Sequence, residues 1–185
     1  MKKYVLFAGV NGAGKTTLYQ TNTGFMILPR VNVDEIVREF GNWNNPVDVV
    51  IAGRKAVELI NQYFDNGISF NQETTLCGKS ILRNIRKAKE LQYFVELYFV
   101  GLDSVELAKE RVQQRVLSGG HGIPGKDIDR RYFESLANLK QVLPICDHVE
   151  LFDNTDVFRR VAIFDSGVCV DRTEKIPPWC KDLFI

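Results

Sequence analysis

The sequence predicts an α/β fold of three layers, α/β/α, built on a mostly parallel five-stranded sheet with a short antiparallel hairpin at its C-terminal edge. Three observations predict it. Apolar runs of strand length alternate with stretches of helical periodicity, the pattern of βαβ units whose helices cover both faces of a parallel sheet. The first run, residues 4–9, is apolar throughout, as a strand buried on both faces must be. A turn carrying Gly9, Gly12 and Gly14 separates that run from the first helix.

The first helix is expected to start near Lys15. A second strand is expected over 27–33, ending in Asn32-Val33-Asp34. Asn45-Pro46 supplies a cap residue and then proline at the first helical position, so a helix should run from there to about Phe64. Val49, Ala52, Ala56, Leu59 and Tyr63 form its apolar stripe, widened by Val50, Val57, Ile60 and Phe64. Asn66-Gly67 ends it. A third strand over 68–72 delivers Glu73-Thr74-Thr75, a helix covers 79–91, and 94–100 is the fourth strand. Asp103 or Ser104 caps a helix to about Leu117, with Val105, Ala108, Val112 and Val116 turned inward. A glycine-rich loop spans 118–126, followed by a helix over 128–142 with Tyr132, Leu136, Leu139 and Leu143 as its stripe. The fifth strand, 148–152, leads to Asn154. Residues 159–172 pattern as two short strands around Asp165-Ser166-Gly167. With the tail from Pro177-Pro178-Trp179 they form a C-terminal edge unit over 159–185. No linker, repeat or low-complexity tract interrupts the chain, so residues 1–185 read as a single domain.

Apolar side chains make up 45% of the 185 residues, charged side chains 25%, and the net charge is +1. A chain of this size buries roughly 70% of its unfolded surface. Its charge supplies no global field toward nucleic acid or an anionic membrane, so any anion recognition is local. Cys77, Cys146, Cys169 and Cys180 lie outside metal-ligand spacing and read as reduced thiols of a cytoplasmic protein. No apolar stretch reaches the roughly 20 residues of a membrane span. The start, Met1-Lys2-Lys3, leads through one short apolar run into Gly-Lys-Thr, without the cleavage site of a signal peptide.

Gly9-Val10-Asn11-Gly12-Ala13-Gly14-Lys15-Thr16 matches G-x-x-x-x-G-K-[ST] in full, after a buried strand and before a helix. The glycines open backbone angles closed to other residues and bring amides close to phosphate oxygens. Gly9, Asn11, Gly12, Ala13 and Gly14, running into Lys15, Thr16 and Thr17, form an anion-binding nest, and the next helix presents its positive end to the same phosphates. Lys15 brings a point charge to the β- and γ-phosphates, and the Thr16 hydroxyl is offered to Mg²⁺. The guanine-reading N-K-x-D is absent, which favours ATP. A typical Walker-B aspartate after an apolar strand is not obvious either; small kinases often lack it, their Mg²⁺ keeping several waters.

In such a sheet, ligands bind at the C-terminal strand ends. Asp34 and Glu73 are placed there, beside the phosphate loop. Asp34 is read as the base that takes or orients the acceptor proton, with helix capping as its bland alternative. Glu73 is read as an acceptor-side or Mg²⁺-water carboxylate. Arg111, Arg115, Lys126, Arg130 and Arg131 bracket residues 119–125, as a lid closing on a triphosphate would require. Arg130 and Arg131 point about 100° apart on a helix, so one of them is expected to reach the site. His121 reads as a hydrogen-bonding loop residue rather than a catalyst, and Trp43 as either acceptor-pocket lining or core.

Together these segments resemble the zeta toxin family of P-loop kinases. The resemblance is carried by residues 9–17, Asn-Val-Asp-Glu at 32–35, Ser-Phe-Asn-Gln-Glu-Thr-Thr-Leu at 69–76, Arg-Val-x-x-Arg-Val with Gly-Gly-His-Gly-Ile-Pro over 111–124, Asp-Ile-x-Arg-Arg-Tyr at 127–132 and Leu-Phe-Asp-Asn-Thr at 151–155. It implies ATP- and Mg²⁺-dependent phosphorylation of a small-molecule hydroxyl. In characterised members the acceptor is UDP-N-acetylglucosamine, and a small antitoxin protein blocks the ATP site. By the same resemblance Lys15 and Thr16 serve the phosphates and metal, Asp34 is the base, Glu73 the acceptor-side carboxylate and Arg115 the first lid arginine. Arg130 or Arg131 stands for the second lid arginine, and Asn154 lies near the adenine.

Two other readings stay open at this stage. One is a regulatory ATPase or switch that binds ATP without a small-molecule acceptor. The other is an enzyme acting on nucleic-acid ends; it needs a basic, aromatic-lined channel, toward which the chain offers only the lid arginines and Arg159-Arg160.

Overall fold

Alternation along the first strand, β1 (Lys3–Ala8), sets the layers. Tyr4, Leu6 and Ala8 enter the apolar core on one face of the sheet, and Val5 and Phe7 enter the core on the other. The computed structural model describes residues 1–21 and 28–184. After β1 come α1 (Lys15–Thr21), β2 (Arg30–Val31), α2 (Val33–Phe40), α3 (Pro46–Asp65), β3 (Phe70–Thr74), α4 (Lys79–Glu90) and β4 (Phe94–Gly101). Then follow α5 (Val105–Leu117), α6 (Gly125–Val142), β5 (His148–Asp153), β6 (Arg159–Asp165), β7 (Val168–Arg172) and a 3-10 segment, Pro178–Phe184.

One sheet holds all these strands, in the order β2-β3-β1-β4-β5-β6-β7. The first five pair in parallel. β6 and β7 continue the same sheet as the expected antiparallel hairpin. β1 lies between β3 and β4, so chain order reverses there and a crevice opens at the carboxyl ends of β1 and β3.

Several elements differ from the sequence expectation. The second strand is Arg30–Val31 rather than 27–33, and residue 27 lies outside the described residues. It stops early because the Asn32 side chain accepts a hydrogen bond from the Asp34 amide and starts α2 at Val33. The third strand is Phe70–Thr74, not 68–72, so Glu73 lies within the strand rather than after it. The glycine-rich loop ends at Pro124 rather than 126, because α6 begins at Gly125. On α3, Ala52, Ala56, Ile60 and Phe64 are buried, but Val50 and Val57 face solvent. At about 100° per residue the two valines fall outside the stripe that recurs every fourth residue. Val116 of α5 is exposed too, although it continues the every-fourth-residue line of buried Ala108 and Val112.

One apolar core holds α2, α3, α4, the end of α6 and the 3-10 segment, and it includes the edge-packed rings of Tyr4, Phe64, Phe70 and Tyr93. The other packs α1, α5 and the start of α6 on Val5, Phe7, Tyr98 and Val100. The tail closes the first core. Trp179 lies on Phe99 and donates from Nε1 to Asp153 Oδ1 at 3.2 Å.

A polar ladder crosses the sheet where β5 meets β6. His148 Nδ1 lies 2.7 Å from Asp165 Oδ1, and Nε2 lies 3.3 Å from Glu150 Oε1. Burial opposes charge on His148, but hydrogen bonds to Asp165 and Glu150 outweigh it and raise its pKa above 6.5. The imidazolium therefore contributes stability that is complete below pH 6.5 and is lost as pH rises through the raised value. Thermal melts across that window should show a decline that His148→Gln flattens; equal slopes in the two proteins would exclude it.

Candidate functional site

The cleft is built on the turn after β1. Gly9 has φ +139°, and a Cβ there would overlap the Val100 carbonyl oxygen of β4, so the turn can leave the sheet this closely only on glycine. Gly14 has φ +102°, and a Cβ there would lie 2.7 Å from Asn154 Nδ2. That amide donates to the Ala13 carbonyl at 2.8 Å and braces the turn from the β5–β6 connection. Lys15 is buried, with Nζ donating to the Val10 carbonyl at 3.1 Å. Burial pushes its ammonium below the ordinary pKa, while the Glu73 and Asp34 carboxylates pull the other way.

Parallel pairing sets Phe7 of β1 opposite Glu73 of β3, which brings the carboxylate to the turn. The Thr16 hydroxyl donates to it, with Oγ1 3.0 and 3.1 Å from the two oxygens. Arg30 Nη2 reaches Glu73 Oε2 at 2.6 Å, and Asn32 Nδ2 reaches the same oxygen at 3.1 Å. Arg30 also pairs with Glu35 at 2.9 Å and lies 3.6 Å above the Tyr19 ring. Arg30 and Glu73 side chains are 9% and 10% exposed, so this is a pair largely withdrawn from water.

Asp34 stands in the first turn of α2, its backbone amide satisfied by Asn32. Because Asn32 is the cap, the Asp34 carboxylate is not the cap of this helix. It lines the same cleft as Lys15, Thr16 and Glu73.

The loop between α5 and α6 borders the same cleft. Arg115 grips the His121 carbonyl through Nε at 3.1 Å and Nη2 at 2.9 Å. The His121 ring lies flat on Trp43, with centroids 4.0 Å apart and 12° between planes. Trp43 both lines the cleft and packs on the core, and its Nε1 is buried with no partner among the described residues. Arg131 Nη1 donates to Asn11 Oδ1 of the phosphate loop at 3.0 Å. Arg130 pairs with Glu134 at 2.6 Å, on the neighbouring face of α6. Arg111 Nη2 donates to the Thr155 carbonyl at 3.1 Å, beside Gly12.

The cleft has a volume of about 820 Å³, within the roughly 300–1,000 Å³ of small-molecule sites. Asn11, Gly12, Gly14, Lys15, Thr16, Thr17, Asp34, Glu73, Arg111, Arg115, Arg130 and Arg131 all line it. Gly9, Ala13 and Asn154 stand behind that lining and shape the turn.

Comparison with known proteins places this architecture. No protein-family model matches the chain. An uncharacterized Haemophilus influenzae protein is 34% identical over 130 residues, which make up 70% of this chain and 92% of that protein. The chain belongs to that protein's family. The PezAT toxin–antitoxin structure of Streptococcus pneumoniae superposes with a TM-score of 0.64 at 15% identity, over 99% of this chain and 82% of that one. The AvrRxo1-ORF1:-ORF2 structure with ATP superposes with a TM-score of 0.70 at 16% identity. That match takes in 91% of this chain but 60% of the AvrRxo1 chain, so this protein spans less than two thirds of it. The fold is that of the zeta toxin-like P-loop kinases.

Within this zeta toxin-like fold, Arg30 and Asn32 are the site residues that sequence reasoning passed over. Their signal is the chemistry of the two side chains: Arg30 stands in β2 beside buried Val31, and Asn32 is itself buried, so both demand partners, and Glu73 of the adjacent strand β3 supplies one to each.

Proposed function

We propose that this protein is an ATP- and Mg²⁺-dependent phosphotransferase that phosphorylates a hydroxyl of a small molecule. The observation that carries the proposal is the Thr16–Glu73 contact at the phosphate loop, with the Asp34 carboxylate lining the same cleft. A hydroxyl and a carboxylate together suit a hard divalent cation, so Thr16 and Glu73 are the residues that would hold Mg²⁺. Bound there, the ion would neutralise charge on the β- and γ-phosphates.

The chain's own groups do the remaining work. Loop amides grip the triphosphate, and Lys15 leaves the Val10 carbonyl to meet it. Asp34 accepts the acceptor's hydroxyl proton or orients that hydroxyl. Arg115, with Arg130 or Arg131, neutralises charge on the transferring group. Arg111 lies on the nucleotide side, and Asn154 holds the turn in shape near the adenine. A UDP-N-acetyl sugar is the first acceptor to try, a small antitoxin protein is the partner to seek, and the cytoplasm is where both would be met.

The test is to incubate the protein with ATP, Mg²⁺ and a metabolite panel that includes UDP-sugars, then search by mass spectrometry for a compound gaining one phosphoryl group. A phosphorylated acceptor is the expected result. ATP turnover unaffected by every acceptor would favour a regulatory ATPase, and no ATP binding at all would overturn both.

A further inference from the structure

His121 is held far more tightly than a loop residue needs to be. Its side chain is 8% exposed. The ring face is covered by Trp43, and the backbone carbonyl is gripped by Arg115 through two donors. Gly120 makes that wrap possible, since a Cβ there would stand 2.6 Å from Arg115 Cγ. The loop is moulded to Arg115, and the imidazole is thereby carried to the acceptor side of the cleft.

The edge of the ring then makes two contacts that cannot both be satisfied. Nε2 lies 3.2 Å from Arg115 Nη2 and 3.5 Å from Asp34 Oδ2. A guanidinium only donates, so toward Arg115 this nitrogen must present its lone pair. An ionised carboxylate only accepts, so toward Asp34 it must present a hydrogen. One nitrogen serves one partner at a time, and its proton decides which.

We propose that His121 is a positioning residue that ties the lid to the acceptor-side carboxylate, its Nε2 holding Arg115 when bare and Asp34 when protonated. The inference rests on Asp34 and Arg115 serving the transfer described above. With Nε2 bare, the imidazole and its own carbonyl together fix the Arg115 guanidinium, and Asp34 is left for the acceptor hydroxyl. With Nε2 protonated, Asp34 is drawn onto the ring and withheld from the acceptor. The charged groups facing the ring are Asp34 and Arg38 from α2 and Arg115 from α5; Trp43, from the α2–α3 connection, carries no charge. Burial pushes the His121 pKa down, and Arg115 and Arg38 add to that against Asp34, so the ring is neutral near neutrality; the shorter contact, to the donor-only Arg115, then selects the tautomer with its proton on Nδ1 and Nε2 bare.

Nitrogen NMR of the full-length, histidine-labelled protein reads the tautomer and titration directly, and the chain has 2 histidines, so His148 is an internal control. At neutral pH the His121 ring should carry its proton on Nδ1. Asp34→Asn should move its titration to lower pH and leave His148 unmoved. In transfer assays His121→Ala should lower kcat about 10²-fold with the KM for ATP little changed, the cost of a misplaced pair of groups. His121→Gln should retain transfer, because an amide accepts from Arg115 and donates to Asp34 through separate atoms, and it should lose the acid limb of the pH profile. A His121 titration indifferent to Asp34→Asn, or wild-type turnover in His121→Ala across the pH range, overturns the proposal. Coupled titration in a protein that phosphorylates no acceptor would leave the tie standing and remove the kinase reading alone.

Discussion

Asp34→Asn is expected to lower phosphoryl transfer about 10²- to 10⁴-fold, the range of a lost general base, while ATP affinity stays essentially unchanged. The substitution is isosteric, and it leaves the start of α2 intact, because the helix is capped by Asn32 and not by Asp34 itself. The Asp34 side chain is 36% exposed, so little stability should depend on its charge. What changes is the chemistry: an amide oxygen can orient a hydroxyl but cannot take its proton. Steady-state transfer and calorimetric titration with ATP, run on the same preparation, separate the two effects. Transfer at the wild-type rate would remove Asp34 from the role of base. A parallel fall in ATP affinity would place the carboxylate on the nucleotide instead.

How much of this site was legible in the sequence depended on how local each interaction is. The phosphate turn is a contiguous motif whose glycines serve the backbone, so it could be read residue by residue, down to a helix starting at Lys15. Glu73 could be placed at a strand end, but its partners could not. Arg30 and Asn32 reach it across 43 and 41 residues of chain, through a strand pairing that no short window reveals. The stripe on α3 was drawn too wide, because Val50 and Val57 are apolar yet lie off the buried line of Ala52, Ala56, Ile60 and Phe64. Asn154 reads from the sequence as a residue near the adenine and not as a brace of the turn, because its bond to Ala13 depends on how the β5–β6 connection meets that turn. His121 was read as a hydrogen-bonding residue of the loop, and the structure adds the two partners that give the bond its meaning.

Glu73→Ala is expected to abolish Mg²⁺-dependent ATP use and also to destabilise the fold by about 3 kcal/mol, the low end for breaking a buried ion pair. The low end applies because Arg30 would keep Glu35 at 2.9 Å and the Tyr19 ring. Removing Glu73 takes away the acceptor of the Thr16 hydroxyl and one partner each of Arg30 and Asn32. A loss of activity in Glu73→Ala alone would therefore not tell metal binding from unfolding. The double variant Arg30→Met, Glu73→Gln makes that distinction. It removes both charges together, and buried pairs replaced in this way by packed neutral groups are often neutral or stabilising. Its denaturation midpoint should return most of the way to wild type, while ATP binding with Mg²⁺ and phosphoryl transfer stay lost. Recovery of transfer with stability would reduce Glu73 to a structural partner of Arg30. Activity that stays absent in a fully stable fold would assign the carboxylate to the phosphates and their metal.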